Sequence, residues 1–192
     1  MAAVSDYTLK ARISGSGDTL AIDYQFTNGG AGPVLVTNKI WRMVEGKAKI
    51  DPDFVYAHVN SDGLLAIYKT MPNIPEGKSP TNLVAPYMTK VEGGDRLSES
   101  ITLQLPLLPY QEYFNNEPAE DSDGNKLVQT VKEVAFGLAF FVPPEGSKIW
   151  NEKAFGENVD LFHNPPGKRA QYGVLWSERF KVSVPVYRRK EA

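Results

Sequence analysis

The chain has 192 residues, 42% of them hydrophobic and 23% charged, with a formal net charge of -2 and no cysteine. That length suits a single domain over 1–192, large enough to bury most of its surface without a staple. The charge balance argues against a duplex nucleic-acid binder, and the lack of cysteine excludes disulfides, thiolate catalysis and Cys-ligated metals.

The N-terminal run Met1-Ala2-Ala3-Val4-Ser5-Asp6 has neither the basic nor the apolar region of a secretory signal. No window approaches the ~20 apolar residues of a membrane helix. A native start at Met1 implies the cytoplasm; a removed signal peptide would imply the periplasm or secretion. Tyr7, Leu9, Ala11 and Ile13 alternate with polar neighbours, as do Leu20, Ile22, Tyr24 and Phe26. Gly15-Ser16-Gly17-Asp18 between them predicts a hairpin, since glycine supplies the positive φ such turns need. Val34-Leu35-Val36 and Ile40-Trp41-Arg42-Met43 follow, with a bulge or a break at Thr37-Asn38-Lys39. Phe54–Val59 turns through Asn60-Ser61-Asp62-Gly63 into Leu64–Lys69, whose two apolar faces place it mid-sandwich. Leu83–Val91 is expected at a sheet edge, because Pro86 removes a ladder donor.

Glu92-Gly93-Gly94-Asp95 turns into Leu97, Ile101, Leu103 and Leu105, echoing the turn exit at Gly17-Asp18-Thr19-Leu20. Val131–Val142 is long and apolar, with Val134, Phe136, Leu138 and Phe140 on one face; Gly137 and Ala139 on the other would let something pack close. The last strand spans about Tyr172–Tyr187 in one unbroken phase, or bends at Ser177-Glu178. No segment has a sustained helical period, apart from room for a single turn around Asn151–Phe155. Short strands with turns at this spacing predict an antiparallel β-sandwich of about nine strands with three long loops.

The run from Tyr24 through Thr27-Asn28-Gly29-Gly30 to Pro33-Val34 resembles the B–C hairpin region of bacterial immunoglobulin-like domains. Gly94-Asp95-Arg96-Leu97 leading into Ile101-Thr102-Leu103 resembles their later hairpin. The likeness covers about a quarter of the chain. It implies an immunoglobulin-like sandwich, a fold shared by adhesion modules, chaperones and inhibitors, and transfers no active site.

The three long connections are about Thr70–Asn82, Pro106–Lys126 and Pro143–Ala170. Strand parity places the first two at one end together with Val44–Pro52, and the third at the opposite end. Their aromatics are the candidate binding residues: Tyr110, Tyr113 and Phe114 in one loop, Trp150, Phe155 and Phe162 in another. Such side chains anchor partner proteins or stack on sugars, or they fold their own loop back onto the sandwich.

Glu117–Asn125 partly matches a calcium loop. With Gly124 as the loop glycine, Asp121 and Asp123 fall on ligand positions, but Ala119 stands where the first ligand belongs and Thr130 where a bidentate Glu belongs. A solvated turn is the simpler reading. His58 and His163 are the only imidazoles. No nucleophile elbow, phosphate loop or dinucleotide fingerprint is present, so no cofactor and no catalytic role are expected. The expected function is recognition of a protein partner through end loops or an edge strand such as Leu83–Val91. Carbohydrate binding is the alternative, and a hydrolase using metal or carboxylates a third.

Overall fold

The computed structural model describes residues 6–81 and 84–190, and it is all-β. The strands are β1 (Tyr7–Ser16), β2 (Thr19–Asn28), β3 (Val34–Lys39), β4 (Trp41–Val44), β5 (Lys47–Ile50), β6 (Tyr56–Val59) and β7 (Leu64–Lys69). They continue with β8 (Tyr87–Val91), β9 (Arg96–Gln104), β10 (Val128–Val142), β11 (Lys148–Ala154), β12 (Glu157–His163), β13 (Gln171–Trp176) and β14 (Phe180–Tyr187). Among the described residues no helix is long and apolar enough to cross a membrane.

Two layers enclose the core. One is a three-stranded antiparallel sheet ordered β1-β2-β9. The other has nine strands, ordered β11-β12-β8-β3-β10-β7-β6, with β13 and β14 also paired to β10. The β4–β5 hairpin stands apart. Alternation builds the small sheet as expected: Leu20, Ile22, Tyr24 and Phe26 point inward against Ile101 and Leu103. Val134, Phe136, Leu138 and Phe140 of β10 meet them from the large sheet. Rings span the two layers, with Tyr24 and Phe136 centroids 4.8 Å apart, Tyr7 and Phe140 4.7 Å, and Phe26 and Phe140 5.4 Å. All six residues of β7 are buried, in keeping with its two apolar faces.

β10 is the spine of the large sheet. Its N-terminal half pairs with β14 and its C-terminal half with β13; β7 and the start of β3 also pair with it. The β7 pairing is parallel, so the large sheet is not the wholly antiparallel one expected. Gly137 takes the role its missing side chain allows: a Cβ there would lie 2.8–2.9 Å from the Trp176 ring. The ring rests flat on bare backbone.

Asn28 is the last residue of β2. It is fully buried, and its Nδ2 donates to the carbonyls of Gly32 and Val91, both at 2.9 Å. Its Oδ1 accepts from the Gly30 amide at 3.0 Å. One side chain thus ties the β2–β3 loop to the end of β8, where an apolar residue would leave buried groups unpaired.

Several expectations are corrected. Residues 82 and 83 lie outside the described residues, but β8 is no edge: it sits between β3 and β12, with Pro86 just before the strand where no ladder donor is needed. The outer position falls to β11. Pro143–Ala170 is mainly the β11–β12 hairpin, so residues around Asn151–Phe155 form strand and turn, not a helical turn. Seven residues of strand run about 23 Å, which carries the hairpin tip away from its base and defeats the parity argument for that segment. The C-terminal strand breaks at 177–179 and changes phase. Trp176 lies on the outer face over Gly137, whereas Val184 and Val186 face the core.

Candidate functional site: an aromatic groove

Trp41, Arg42 and Met43 of β4, Phe54 before β6, Val84, and Leu108, Tyr110 and Glu112 of the Pro106–Lys126 segment enclose a groove of about 570 Å³. Each wall has a local cause. The Tyr110 carbonyl accepts the Ala57 amide at 2.8 Å, which pins the loop to the free edge of β6. The Tyr110 ring then stacks with Tyr56 at 6.3 Å and meets Phe54 edge-on at 5.3 Å. Ile40, Tyr56, Ala66 and Tyr68 form the buried floor beneath Phe54 and Tyr110.

On the opposite wall, β4 and β5 join through Glu45 and Gly46, both at positive φ as a two-residue hairpin turn requires. The β11–β12 turn uses Phe155 and Gly156 in the same way. A phenylalanine in that conformation is uncommon and costs backbone energy. Packing offsets the cost: the Phe155 ring lies 5.7 Å from Trp41 and 5.9 Å from Tyr87. The hairpin tip therefore backs the groove wall, even though Phe155 stays 45% exposed. Trp41 Nε1 donates to the Ala85 carbonyl at 3.2 Å.

Two charges border the groove. Arg42 lies over the Phe54 ring at 5.3 Å and donates to Asp51 from Nε at 2.8 Å and from Nη2 at 2.6 Å. Glu112 accepts from the Tyr110 hydroxyl at 3.2 Å. Burial and the Glu112 charge push the Tyr110 phenol up to about 12. It therefore stays a neutral donor at any physiological pH.

The other candidates scatter around this centre. Tyr113 sits at positive φ, accepts the Val84 amide on its hydroxyl at 2.7 Å and Lys78 Nζ on its carbonyl at 2.6 Å. It joins the Thr70–Asn82 and Pro106–Lys126 segments, which share an end as expected. Phe114 lies under the Arg189 guanidinium at 5.7 Å. Trp150 is on β11, where its indole donates to Glu152 at 3.2 Å. Phe162 packs on Phe141 at 5.7 Å. Of the six aromatics read from the sequence, Tyr110 lines the groove and Phe155 supports it.

Trp41 and Phe54 were missed as site residues because each sits in an apolar run that reads as core. Trp176 and Tyr172 escape the sequence pattern because an unbroken phase from Tyr172 to Tyr187 would turn them inward with Val184 and Val186. They are 49% and 42% exposed on the outer face of β13.

Asp121 acts as a turn residue. Its Oδ1 accepts the amides of Asp123 and Asn125, both at 2.9 Å, and these bonds hold its carboxyl below the usual range. Among the described residues no group of three or more His, Asp or Glu side chains is placed to hold a metal. His58 and His163 lie on β6 and β12, towards opposite margins of the large sheet. His58 shares a cavity of about 240 Å³ with Gln111, Gln129, Tyr187 and Arg189. Burial lowers its pKa below the ordinary 6.5.

No family model, curated protein or solved structure matches this chain.

Proposed function

We propose that this chain is a recognition module of immunoglobulin-like architecture, without turnover chemistry, that takes a segment of a partner protein into the Trp41–Phe54–Tyr110 groove. The observation that carries this reading is the groove itself: about 570 Å³, walled by three aromatic side chains, with Arg42 and Glu112 at its border. Rigid aromatics bury large area at little entropic cost, and flanking charges orient a peptide without supplying most of the affinity. Met43, 60% exposed, and Leu108, 40% exposed, extend the apolar surface for a partner to cover.

A peptide-display library panned on the wild-type protein tests the proposal. Selected peptides should bind Tyr110→Ala at least tenfold more weakly, with a smaller change in melting temperature than a core truncation causes. Failure to select any peptide, or equal binding to Tyr110→Ala, overturns the reading.

The carbohydrate reading is favoured by a different surface. Tyr172 and Trp176 flank Val174 on the outer face of β13, about 13 Å apart for four residues of strand. Two exposed rings on one face of a strand suit stacking against sugars. Tryptophan fluorescence titrated with a polysaccharide panel, compared with Trp176→Ala, decides it. No response to any sugar would remove this alternative.

A further inference from the structure

β7 ends at Lys69 and β3 carries Asn38 near its end, and neither side chain reaches solvent. Leu65 and Ile67 alternate into the core, so Lys69 two residues further on takes the same face. It is fully buried. Its Nζ donates to the Pro52 carbonyl at 2.7 Å and to the carbonyl of Asn38 at 3.1 Å. From the other layer comes Glu99, the charged member of the inward series Leu97, Ile101 and Leu103 on β9. Glu99 Oε1 accepts from Asn38 Nδ2 at 2.6 Å. Glu99 Oε2 accepts from the Tyr24 hydroxyl and lies 4.0 Å from Lys69 Nζ. Asn38 is itself buried, and its Oδ1 has no hydrogen-bond partner.

As a plain ion pair this arrangement is poor. A lysine removed from water at 4.0 Å from its counter-charge recovers little of its desolvation cost. Burial holds the Lys69 amine below the ordinary lysine value, opposed by Glu99, Asp53 and Asp51. An uncharged amine satisfies the site: its two N–H bonds serve the two carbonyls and its lone pair is left free. It then sits against the backbone of the residue whose carboxamide is buried beside it. The two nitrogens, Nζ of Lys69 and Nδ2 of Asn38, each face one oxygen of a single carboxylate.

We propose that Lys69 and Asn38 become joined by an intramolecular amide bond, formed by the chain itself with Glu99 as proton carrier. Lys69 Nζ attacks Asn38 Cγ and the new N–C bond forms. The proton shed by Nζ passes to Glu99 and from it to Nδ2. The Cγ–Nδ2 bond breaks, ammonia departs, and Glu99 returns to its carboxylate. Atoms balance with no oxidant, metal or co-reactant. Tyr24 positions the carboxylate through its second oxygen. The product ties the end of β3 to the end of β7, two strands that both pair with β10. It closes a loop over residues 38–69 and restrains the unfolded chain as a disulfide would, in a protein with no cysteine.

Mass spectrometry of the purified full chain tests this directly. The intact mass should fall short of the sequence by one ammonia. Trypsin should release a branched species joining residues 13–39 to residues 50–78, uncut after Lys69. Glu99→Gln, recovered folded, should keep its ammonia and yield residues 50–69 as a linear peptide. Tyr24→Phe should slow the mass loss without abolishing it. A wild-type mass equal to the sequence overturns the proposal. So does loss of ammonia with a linear 50–69 peptide, the result expected from succinimide formation at Asn28-Gly29 instead. Both wild-type readouts stand even if the variants fail to fold.

Discussion

The small sheet and the groove end of the molecule are held together in opposite ways. β1 and β2 pair through ten consecutive residues each, and β2 and β9 through nine, in registers without a break. Backbone ladders fix that layer, and its inner face is filled by alternate side chains. At the groove end, β4 and β5 share four pairs and β12 meets β8 at the single pair Asp160 and Met88. Ring contacts and side-chain hydrogen bonds do there what ladders do elsewhere. A surface assembled in this way can yield locally while the ladder-paired layer behind it stays fixed.

Phe136→Ala should weaken the join between the layers more than any surface or turn substitution. Its ring is fully buried against Tyr24, and truncating such a side chain costs about 3–5 kcal/mol. Denaturant melts should show the loss, and a cost under about 1 kcal/mol would mean the layers are far less tightly packed than the Tyr24–Phe136 contact implies. Asn28→Ala should come next, at about 1–3 kcal/mol, because it strands buried partners in two segments. Gly137→Ala should cost about 1 kcal/mol, at the low end for overpacking, because the half-exposed Trp176 ring can lift away. Its tryptophan emission should shift to the red; an unchanged spectrum would contradict the ring's seat on β10.

Smaller still is a pH effect on the groove side. Burial lowers His58 below 6.5, so just beneath that pH the unfolded chain binds a proton that the folded chain does not. Stability should therefore rise with pH through that window and be lost as pH falls. His58→Gln should flatten the slope of melting temperature against pH there. Last in order is Arg179→Ala, which removes the exposed pairs with Asp62 and Glu133 and should leave the melting temperature unchanged within error.

Legibility in the sequence followed the same division. β2 and β9 were readable because β2 alternates strictly, β9 alternates at every inward position but Glu99, and each is bounded by a glycine turn. Gly137 was readable as a place of close approach because it interrupts an otherwise bulky strand. The β11–β12 hairpin was not, since only Ala154 and Val159 of its residues are buried and the polar remainder hides the period of two. Its turn is Phe-Gly rather than Asn-Gly, which removed the usual signal. Lys69 is the last residue of β7, and nothing in its sequence neighbourhood marks a lysine there as buried. Glu99 carried a signal that could have found the interlayer cluster: it occupies the inward phase between Leu97 and Ile101, where a solvated carboxylate does not belong. The groove depends on residues 41, 54 and 110, whose meeting rests on a β4–β5 excursion that no local pattern announces.

The central position of β10 also sets a timetable for the chain as it is made. β3 and β7 present apolar strands early, yet their shared neighbour begins only at Val128, some sixty residues after β7 ends. A ribosome-bound chain therefore holds greasy, unpaired edges open through much of synthesis. The β1–β2 hairpin can close at once, while the large layer must wait for its keel.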